Sequence, residues 1–177
     1  MNKEQIFDYI KKRNIWYEVT EHKKVYKMAD FDDMDMPYPD GNAKNLFLCD
    51  DRKKYFLLLV KAGKKVDLKK FRTDNSLRSL HFASSFDLKK IMKLEPGSVT
   101  PFGILNDERK EVSLYIDKEL NDVVGVHPND NSATVWLKVN DLISINKEHG
   151  NFVKIVEMMW LYRKRQLPLK TLPHAST

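Results

Sequence analysis

Two neighbouring segments rich in aromatic and aliphatic residues constrain the fold of this chain more than any other sequence feature. They run from Asn45 to Cys49 and from Lys54 to Lys61, and the polar residues 50–53 connect them. Aromatic and branched aliphatic residues favour β-strands, and a short polar connection favours a tight turn. The sequence therefore predicts a β-hairpin, around which the remaining elements must pack.

The other predicted elements alternate irregularly between helix and strand. Ile6, Tyr9 and Ile10 recur at helical spacing, and Asp67 and Ser85 are suitable N-cap residues. Helices are predicted over residues 2–14, after Asp67, from 85 to 94 and from Asn140 or Asp141 onward, and strands over 16–20, 80–83, 112–116 and 133–139. Because this order is not a regular βαβ repeat, it predicts an α+β fold on a mixed or largely antiparallel sheet.

Composition limits the class of protein. Of the 177 residues, 42% are hydrophobic and 32% are charged, which predicts one folded domain rather than a disordered chain. The longest strongly apolar run, Tyr55 to Val60, is far too short to cross a bilayer, and no apolar signal core follows Met1. We therefore expect a cytoplasmic protein. The net charge of +6 favours a polyanionic partner without establishing one.

Several familiar kinds of catalytic site are disfavoured. The six glycines form no Gly-x-Gly-x-x-Gly or Walker pattern, so NTP-driven chemistry is not expected. The five histidines lack ligand spacing, and the single cysteine, Cys49, can build neither a disulfide nor a multi-thiolate zinc site. We therefore expect no metal and no cofactor. Cys49 fits a small buried hydrophobic residue better than a nucleophile.

Three separated segments combine turn-forming residues with groups that can meet an anionic ester. In the first, Lys44 lies where a polar loop enters the apolar strand that continues through Asn45. A lysine in this position can project into a cleft. An ordinary solvated lysine at a strand end would show the same spacing, so the pattern alone does not assign a function.

The other two segments are loops with constrained backbones. Residues 96–103 contain two glycines and two prolines, and such a loop can present N–H groups to an oxyanion, although a plain connection can have the same composition. In residues 125–134, Pro128 restricts His127 to extended geometry, and an Asn-Asp-Asn run favours a turn. These patterns predict two tight loops and leave their function open.

Taken together, the three segments resemble the YbaK-like aminoacyl-tRNA deacylase family, most closely its free-standing prolyl-tRNA editing proteins. The resemblance rests on Lys-Asn-Leu-Phe-Leu at 44–48, Gly-Ser-Val-Thr-Pro-Phe-Gly at 97–103 and Gly-Val-His-Pro-Asn-Asp-Asn at 125–131. It implies a deacylase domain over residues 1–157, followed by a basic C-terminal extension over 158–177. It also implies a single α+β domain with a mixed, mostly antiparallel curved sheet flanked by helices.

The resemblance further implies a set of site residues. Lys44 matches the family's essential lysine, N–H groups near Gly103 would help to fix the ester, and His127 would line the pocket, so these three are the expected catalytic residues. The expected substrate-binding residues are Asn45, Gly97, Ser98, Thr100, Pro101, Phe102, Gly125, Pro128, Asn129 and Asn131. Of the two asparagines in the last motif, Asn131 is expected to face the pocket more directly than Asn129.

The activity implied by the resemblance is hydrolysis of the ester bond in mischarged Ala-tRNA(Pro), which releases alanine and free tRNA. The partner would be the acceptor end of tRNA(Pro), with prolyl-tRNA synthetase as a second candidate, and the enzyme would be a monomer. Two alternatives stay open: a deacylase for another mischarged tRNA such as Cys-tRNA(Pro), and a non-catalytic module that binds tRNA or a synthetase. The acidic residues 27–42 are interpreted as a loop that could act as a lid.

Overall fold

The computed structural model describes residues 1–24 and 35–158. The lid interpretation of residues 27–42 therefore falls partly outside the described residues. The basic extension lies outside them from residue 159 onward.

Four helices and eight strands make up the described part of the chain. The helices are α1 (Lys3–Lys12), α2 (Leu68–Asp74), α3 (Ser85–Met92) and α4 (Val139–His149). The strands are β1 (Tyr17–Glu21), β2 (Ala43–Asp50), β3 (Tyr55–Lys61), β4 (Leu80–Phe82), β5 (Val112–Asp117), β6 (Val123–Val126), β7 (Ala133–Lys138) and β8 (Val153–Val156). Short 3₁₀ helices cover Pro39–Gly41 and Pro101–Asn106.

The hairpin predicted from the sequence is confirmed as β2 and β3. The two strands are antiparallel, with Ala43 opposite Lys61 and Cys49 opposite Tyr55. The turn between them is closed by the carboxylate of Asp50, which accepts hydrogen bonds from the backbone N–H groups of Arg52 and Lys54, each at 2.9 Å. A polar connection thus satisfies its own backbone donors, as short turns commonly do.

The α+β class and the mixed, mostly antiparallel pairing are also confirmed, but the strands divide between two sheets. One sheet has the order β1-β7-β6 and is antiparallel throughout. The other has the order β4-β2-β3-β5-β8, in which β5 lies parallel to both of its neighbours. The two sheets come together where β2 contacts β6.

Alternation along the strands creates two large hydrophobic cores, and a third, small cluster consists of Met36, Val123 and Trp136. The larger one, called the main core here, lies between the two sheets and includes Phe47 and Leu57 from one sheet and Val124 and Val135 from the other. The smaller one, called the outer core, covers the opposite face of the five-stranded sheet. Its members include Leu48, Phe56, Leu58, Val60, Phe71 and Tyr115. Successive residues of a strand point to opposite faces, so Phe47 and Leu48 belong to different cores.

Two helix starts differ from the sequence prediction. Helix α3 is capped by Ser84 rather than Ser85, and the Ser84 hydroxyl accepts the N–H of Asp87 at 3.0 Å. Helix α4 begins at Val139, before either predicted capping residue, and Lys138 at its N-cap makes no side-chain capping bond. The reason is that β7 runs directly into α4, and the N–H of Val139 donates to the carbonyl of Asp122 at 2.8 Å.

Candidate active site

Gly125 lies on the face of β6 that is turned away from the main core. Its neighbours Val124 and Val126 both belong to the main core, so alternation sends position 125 to the other side. A Cβ atom at Gly125 would lie 2.6 Å from Cζ3 of Trp136 and 2.9 Å from Cγ2 of Thr134. The glycine therefore lets the fully buried Trp136 ring lie directly across β6.

Replacing Gly125 by alanine is expected to destabilise the protein by about 1–3 kcal/mol, because overpacking a rigid ring forces shifts of that order. The Trp136 ring has little freedom to yield, since its Nε1 donates to Thr20 Oγ1 at 2.9 Å. Urea denaturation of Gly125→Ala measures the loss. In a Trp136→Leu background no ring atom is left to clash, so the same alanine should cost less; an equal cost in both backgrounds would contradict this packing account.

Lys44 is half-buried near the start of β2. Ala43 packs against the main core, so Lys44 lies on the opposite face of the strand, as Leu46 does. Its ammonium Nζ donates to the backbone carbonyl of Lys64. Burial lowers the pKa of the Lys44 ammonium. Lys44 is therefore held by the protein instead of being a freely solvated lysine at a strand end.

The structure brings the start of β2, where Lys44 lies, against β6, which contains Gly125. The segment before β2 lies directly on β6, and a Cβ at Gly41 would be 2.3 Å from the carbonyl oxygen of Val123. From there β2 continues beside β6, and Lys44 and Gly125 each lie on the face of their own sheet that is turned away from the main core. The first and third segments singled out in the sequence therefore meet where the two sheets come together.

Asn45 points to the other face of β2, the one that packs on the main core. Its side-chain oxygen Oδ1 is buried and has no hydrogen-bond partner among the described residues, and the same is true of Oδ1 of Asn129. Buried polar atoms are usually paired, so each oxygen is a candidate acceptor for a bound group. Asn131 is buried as well, whereas the amide of Asn129 donates to the carbonyl of Met1 at 2.8 Å.

A hydrogen bond joins the second segment to the third. The hydroxyl of buried Thr100 donates to the backbone carbonyl of His127 at 2.6 Å. The same Thr100 oxygen caps the 3₁₀ helix that starts at Pro101 by accepting the N–H of Phe102. Thr100 therefore fixes the two loops relative to each other, a positional role that the sequence pattern does not reveal.

Part of the expected pocket loop is structural. Phe102 is fully buried in the main core, so its side chain supports the loop from within instead of lining a surface. Gly103 is also buried, and a Cβ there would lie 2.5 Å from Cδ1 of Leu94. The N–H of Gly103, expected to help fix the ester, already donates to the carbonyl of Thr100 at 3.0 Å. The reason is that residues after Pro101 wind into a 3₁₀ helix.

The other expected residues of these loops differ in exposure. Gly97 is exposed and has a φ of +89°, which the absence of a side chain makes possible. Ser98 is half-buried, and its N–H donates to the carbonyl of Glu95 at 3.1 Å. Pro101 and Pro128 are both buried. Gly97 and Ser98 are thus the accessible ones among the expected substrate-binding residues of the second segment.

Comparison with known proteins shows which family has this arrangement. The aminoacyl-tRNA editing domain matches residues 22–145, a range that contains all three segments. The chain belongs to the aminoacyl-tRNA editing domain family. It is also 41% identical over 145 residues to the prolyl-tRNA editing protein ProX of Acetoanaerobium sticklandii, an alignment that covers 80% of this chain and 88% of that protein.

The chain is also similar to a more distant relative and to a solved structure. Prolyl-tRNA synthetase associated domain-containing protein 1 of Danio rerio is 25% identical over 154 residues, covering 82% of each chain. A crystal structure described as that of a candidate trans-editing enzyme for prolyl-tRNA synthetase superposes with a TM-score of 0.65 at 15% identity, covering 88% of this chain and 95% of that one. At that identity the superposition shows that the fold of an editing domain is shared.

The geometry of this editing domain determines the tautomer of His127. Nδ1 of His127 lies 3.0 Å from the backbone carbonyl of Ala133. A carbonyl can only accept, so Nδ1 carries a proton, and in the neutral ring Nε2 is then the unprotonated nitrogen. Burial lowers the pKa of His127, the nearby His22 ring lowers it further, and the hydrogen bond to Ala133 and the charge of Asp130 act in the opposite direction. The imidazole is therefore neutral at pH 7.

The lowered pKa of His127 predicts a loss of stability in acid. The unfolded chain binds a proton at this residue below about pH 6.5, where the folded editing domain still excludes it, so the free energy of unfolding should fall as the pH drops below that value. Denaturation between pH 5 and 7.5 measures the slope. His127→Gln should flatten it, and an NMR titration should place the pKa of His127 below 6.5. A pKa above 6.5 would contradict the neutral assignment.

A cavity of about 510 Å³ lies beside the start of β2, adjacent to this site. It is lined by Pro37, Tyr38, Pro39, Asp40, Gly41, Lys61, Glu119, Asn121, Asp122 and Val123. Three carboxylates among these residues outnumber the one ammonium, which disfavours a phosphate there. Neither Lys44 nor His127 lines this cavity.

Two kinds of feature are absent from residues 1–24 and 35–158. No group of three or more His, Cys, Asp or Glu side chains is arranged to hold a metal ion. Within the same ranges, no helix is both long enough and apolar enough to span a bilayer.

Proposed function

We propose that this chain is a trans-editing hydrolase that removes alanine from mischarged Ala-tRNA(Pro). One observation carries the proposal. In this aminoacyl-tRNA editing domain, Lys44 is half-buried, its ammonium is bonded to a backbone carbonyl, and its strand lies beside β6. The similarity to a prolyl-tRNA editing protein at 41% identity supports tRNA(Pro) as the tRNA. Alanine rather than another amino acid is the finer part of the proposal.

A need for such an enzyme follows from the physics of small binding pockets. A synthetase pocket built for proline cannot strongly exclude the smaller alanine, because a missing methylene or two changes binding by only about 1–3 kcal/mol. A second site that accepts alanine and rejects proline removes the error by hydrolysis. The proposed editing site performs this second selection.

The reaction needs a positioned water and stabilisation of the tetrahedral oxyanion that forms when the water attacks the ester carbonyl. Lys44 supplies a cation in a partly desolvated position, where a charge interacts more strongly than in bulk water. In the proposed mechanism Lys44 contacts the phosphate or carbonyl region of the substrate. We expect His127 to line the pocket, and the ribose hydroxyl of the terminal adenosine can assist the water.

The second candidate function is a non-catalytic module that binds a synthetase or charged tRNA. This candidate is supported by the name of the Danio rerio relative, which describes a domain associated with prolyl-tRNA synthetase. In either case we propose the acceptor end of tRNA(Pro) as the principal partner, prolyl-tRNA synthetase as a second one, a monomeric protein and a cytoplasmic location. We also propose that residues 1–157 form a deacylase domain and that residues 158–177 are a basic extension.

Measuring turnover and binding on the same preparation separates the two functions. The enzyme should release alanine from many equivalents of Ala-tRNA(Pro) per equivalent of protein, without added metal or nucleotide. A module that only binds would retain charged tRNA on a filter and release no alanine above the rate of spontaneous hydrolysis. Saturable binding without release would therefore replace the first proposal by the second.

A further inference from the structure

Lys64 is the most deeply buried cationic side chain in the described part of the editing domain, and it has no assigned role. Only 2% of its side chain is exposed, although lysine is rarely buried unless it is paired. Its Nζ lies 2.7 Å from Oδ2 of Asp117 and 2.7 Å from Oε1 of Glu119. Burial disfavours the charge, but the bonds to both carboxylates outweigh this and raise the pKa of Lys64. Lys64 is thus an ammonium inside the protein.

Asp117 is the centre of this buried cluster. Its side chain is fully buried at the end of β5, and its oxygens accept the N–H of Lys61 and the N–H of Glu119, each at 3.3 Å, besides the ammonium of Lys64. The N–H of Lys64 donates in turn to the carbonyl of Lys61. The carboxylate therefore ties the turn after β3 to the loop after β5.

The same turn presents the backbone carbonyl that receives Lys44. Because Nζ of Lys44 donates to the carbonyl of Lys64, any movement of the turn moves the acceptor of the Lys44 ammonium. The ion pair with Asp117 fixes the side chain of Lys64. Because the backbone carbonyl belongs to the same residue, its position is restricted as well. A buried ion pair is a known means of specifying one arrangement of the backbone.

We propose that Lys64 and Asp117 are positioning residues for Lys44, and that their buried ion pair holds the turn whose carbonyl orients the Lys44 ammonium. The role of Lys44 in deacylation rests on the proposed function. The contact between Lys44 and the turn does not. Neither Lys64 nor Asp117 needs to touch the substrate, since both act through the position of Lys44.

Asp117→Asn is the variant that tests this inference. Asparagine has the size of aspartate and its oxygen can still accept one backbone N–H, while Lys64 keeps Glu119 as a counter-ion, so the chain should still fold. The matched control is Glu119→Gln. Glu119 bonds the same ammonium, but it is 43% exposed and is not bonded to the turn through Lys61. Circular dichroism and the urea midpoint verify that both variants are folded.

The first measurement is the pKa of Lys44. It is obtained from the NMR signal of the Lys44 side-chain Cε, recorded against pH in lysine-labelled protein. The signal is assigned by its absence from Lys44→Arg. The hydrogen bond to a fixed carbonyl favours the charged ammonium, so losing it in Asp117→Asn should lower the pKa of Lys44 further, by at least about half a unit, whereas Glu119→Gln should leave it unchanged. An unchanged pKa in folded Asp117→Asn would overturn the proposal, and so would an equal shift in both variants.

The second measurement is kinetic. Asp117→Asn should change the same kinetic parameter as Lys44→Ala, KM or kcat, by about tenfold, and should add nothing further in the Lys44→Ala background. A further loss in that background would show a role independent of Lys44 and would also overturn the proposal. If the wild-type chain releases no alanine, the proposed function fails, and the pKa of Lys44 still decides whether Lys64 and Asp117 position it.

Discussion

Lys44→Ala should reduce hydrolysis of Ala-tRNA(Pro) by about a hundredfold, as removing one pre-organised charged or hydrogen-bonding group from an active site commonly does. The reason is that Lys44 is the cation held at the junction of β2 and β6, in a position where burial already lowers its pKa. Single-turnover release of labelled alanine with enzyme in excess measures the rate. Varying the enzyme concentration then separates weaker binding from a slower chemical step.

The division between binding and chemistry identifies what Lys44 does. If it only holds the substrate, KM should rise more than kcat falls; the opposite result would show that the ammonium stabilises the transition state.

Lys44→Arg should not restore full activity, because a planar guanidinium cannot replace a compact ammonium bonded to the Lys64 carbonyl. Lys54→Ala, which removes an exposed lysine from the hairpin turn, is the matched control and should react normally. Normal activity of Lys44→Ala would exclude the role assigned to it.

Lys64→Met should destabilise the folded protein by about 3–5 kcal/mol, the usual cost of leaving one charge of a buried pair without its partner. Asp117 is fully buried and would keep only backbone N–H donors. Since domains of this size have total stabilities of about 5–15 kcal/mol, the variant should unfold at much lower urea concentration than the wild-type chain. The urea midpoint and slope measure the change in the free energy of unfolding.

Two further variants separate the loss of a charge partner from the loss of packing. Adding Asp117→Leu to Lys64→Met removes the stranded carboxylate and should recover much of the stability, because replacing both partners by apolar groups is often tolerated. Lys70→Met removes one partner of the exposed pair with Asp74 and should change the free energy of unfolding by less than about 0.5 kcal/mol. If the double variant were no more stable than Lys64→Met, the stranded-charge explanation would be wrong.

Local sequence signals predicted the elements that depend on local chemistry. The hairpin of β2 and β3 follows from two apolar strands and a polar turn, and Asp67 caps α2 by accepting the N–H of Lys70 at 3.0 Å, as its residue type favours. The strands β6 and β8 were not predicted. Each has only four residues, and one contains a glycine and the other a lysine. β6 pairs with the next strand, β7, whereas β8 pairs with β5 from an earlier part of the chain.

At the site as well, the sequence indicated individual residues but not the contacts between residues that are distant along the chain. The family resemblance implies an essential lysine at position 44, but the sequence does not show its hydrogen-bond acceptor, which is the carbonyl of a residue 20 positions later. The burial of Lys64 was not predictable, because lysine is among the residues most often exposed, and only the fold places Asp117 against it. Likewise, the motif containing Phe102 suggested a pocket residue, while the fold places that ring in the main core.

The central claim is tested most directly by offering the wild-type chain Ala-tRNA(Pro), Cys-tRNA(Pro) and Pro-tRNA(Pro) in parallel, without added metal or nucleotide, and measuring release of each amino acid. We predict rapid release of alanine, much slower release of cysteine and no release of proline above spontaneous hydrolysis. Preferential release of cysteine would assign the site to a different mischarged tRNA. Release of none of the three, by protein that still binds tRNA, would contradict the assignment of this chain as an editing hydrolase.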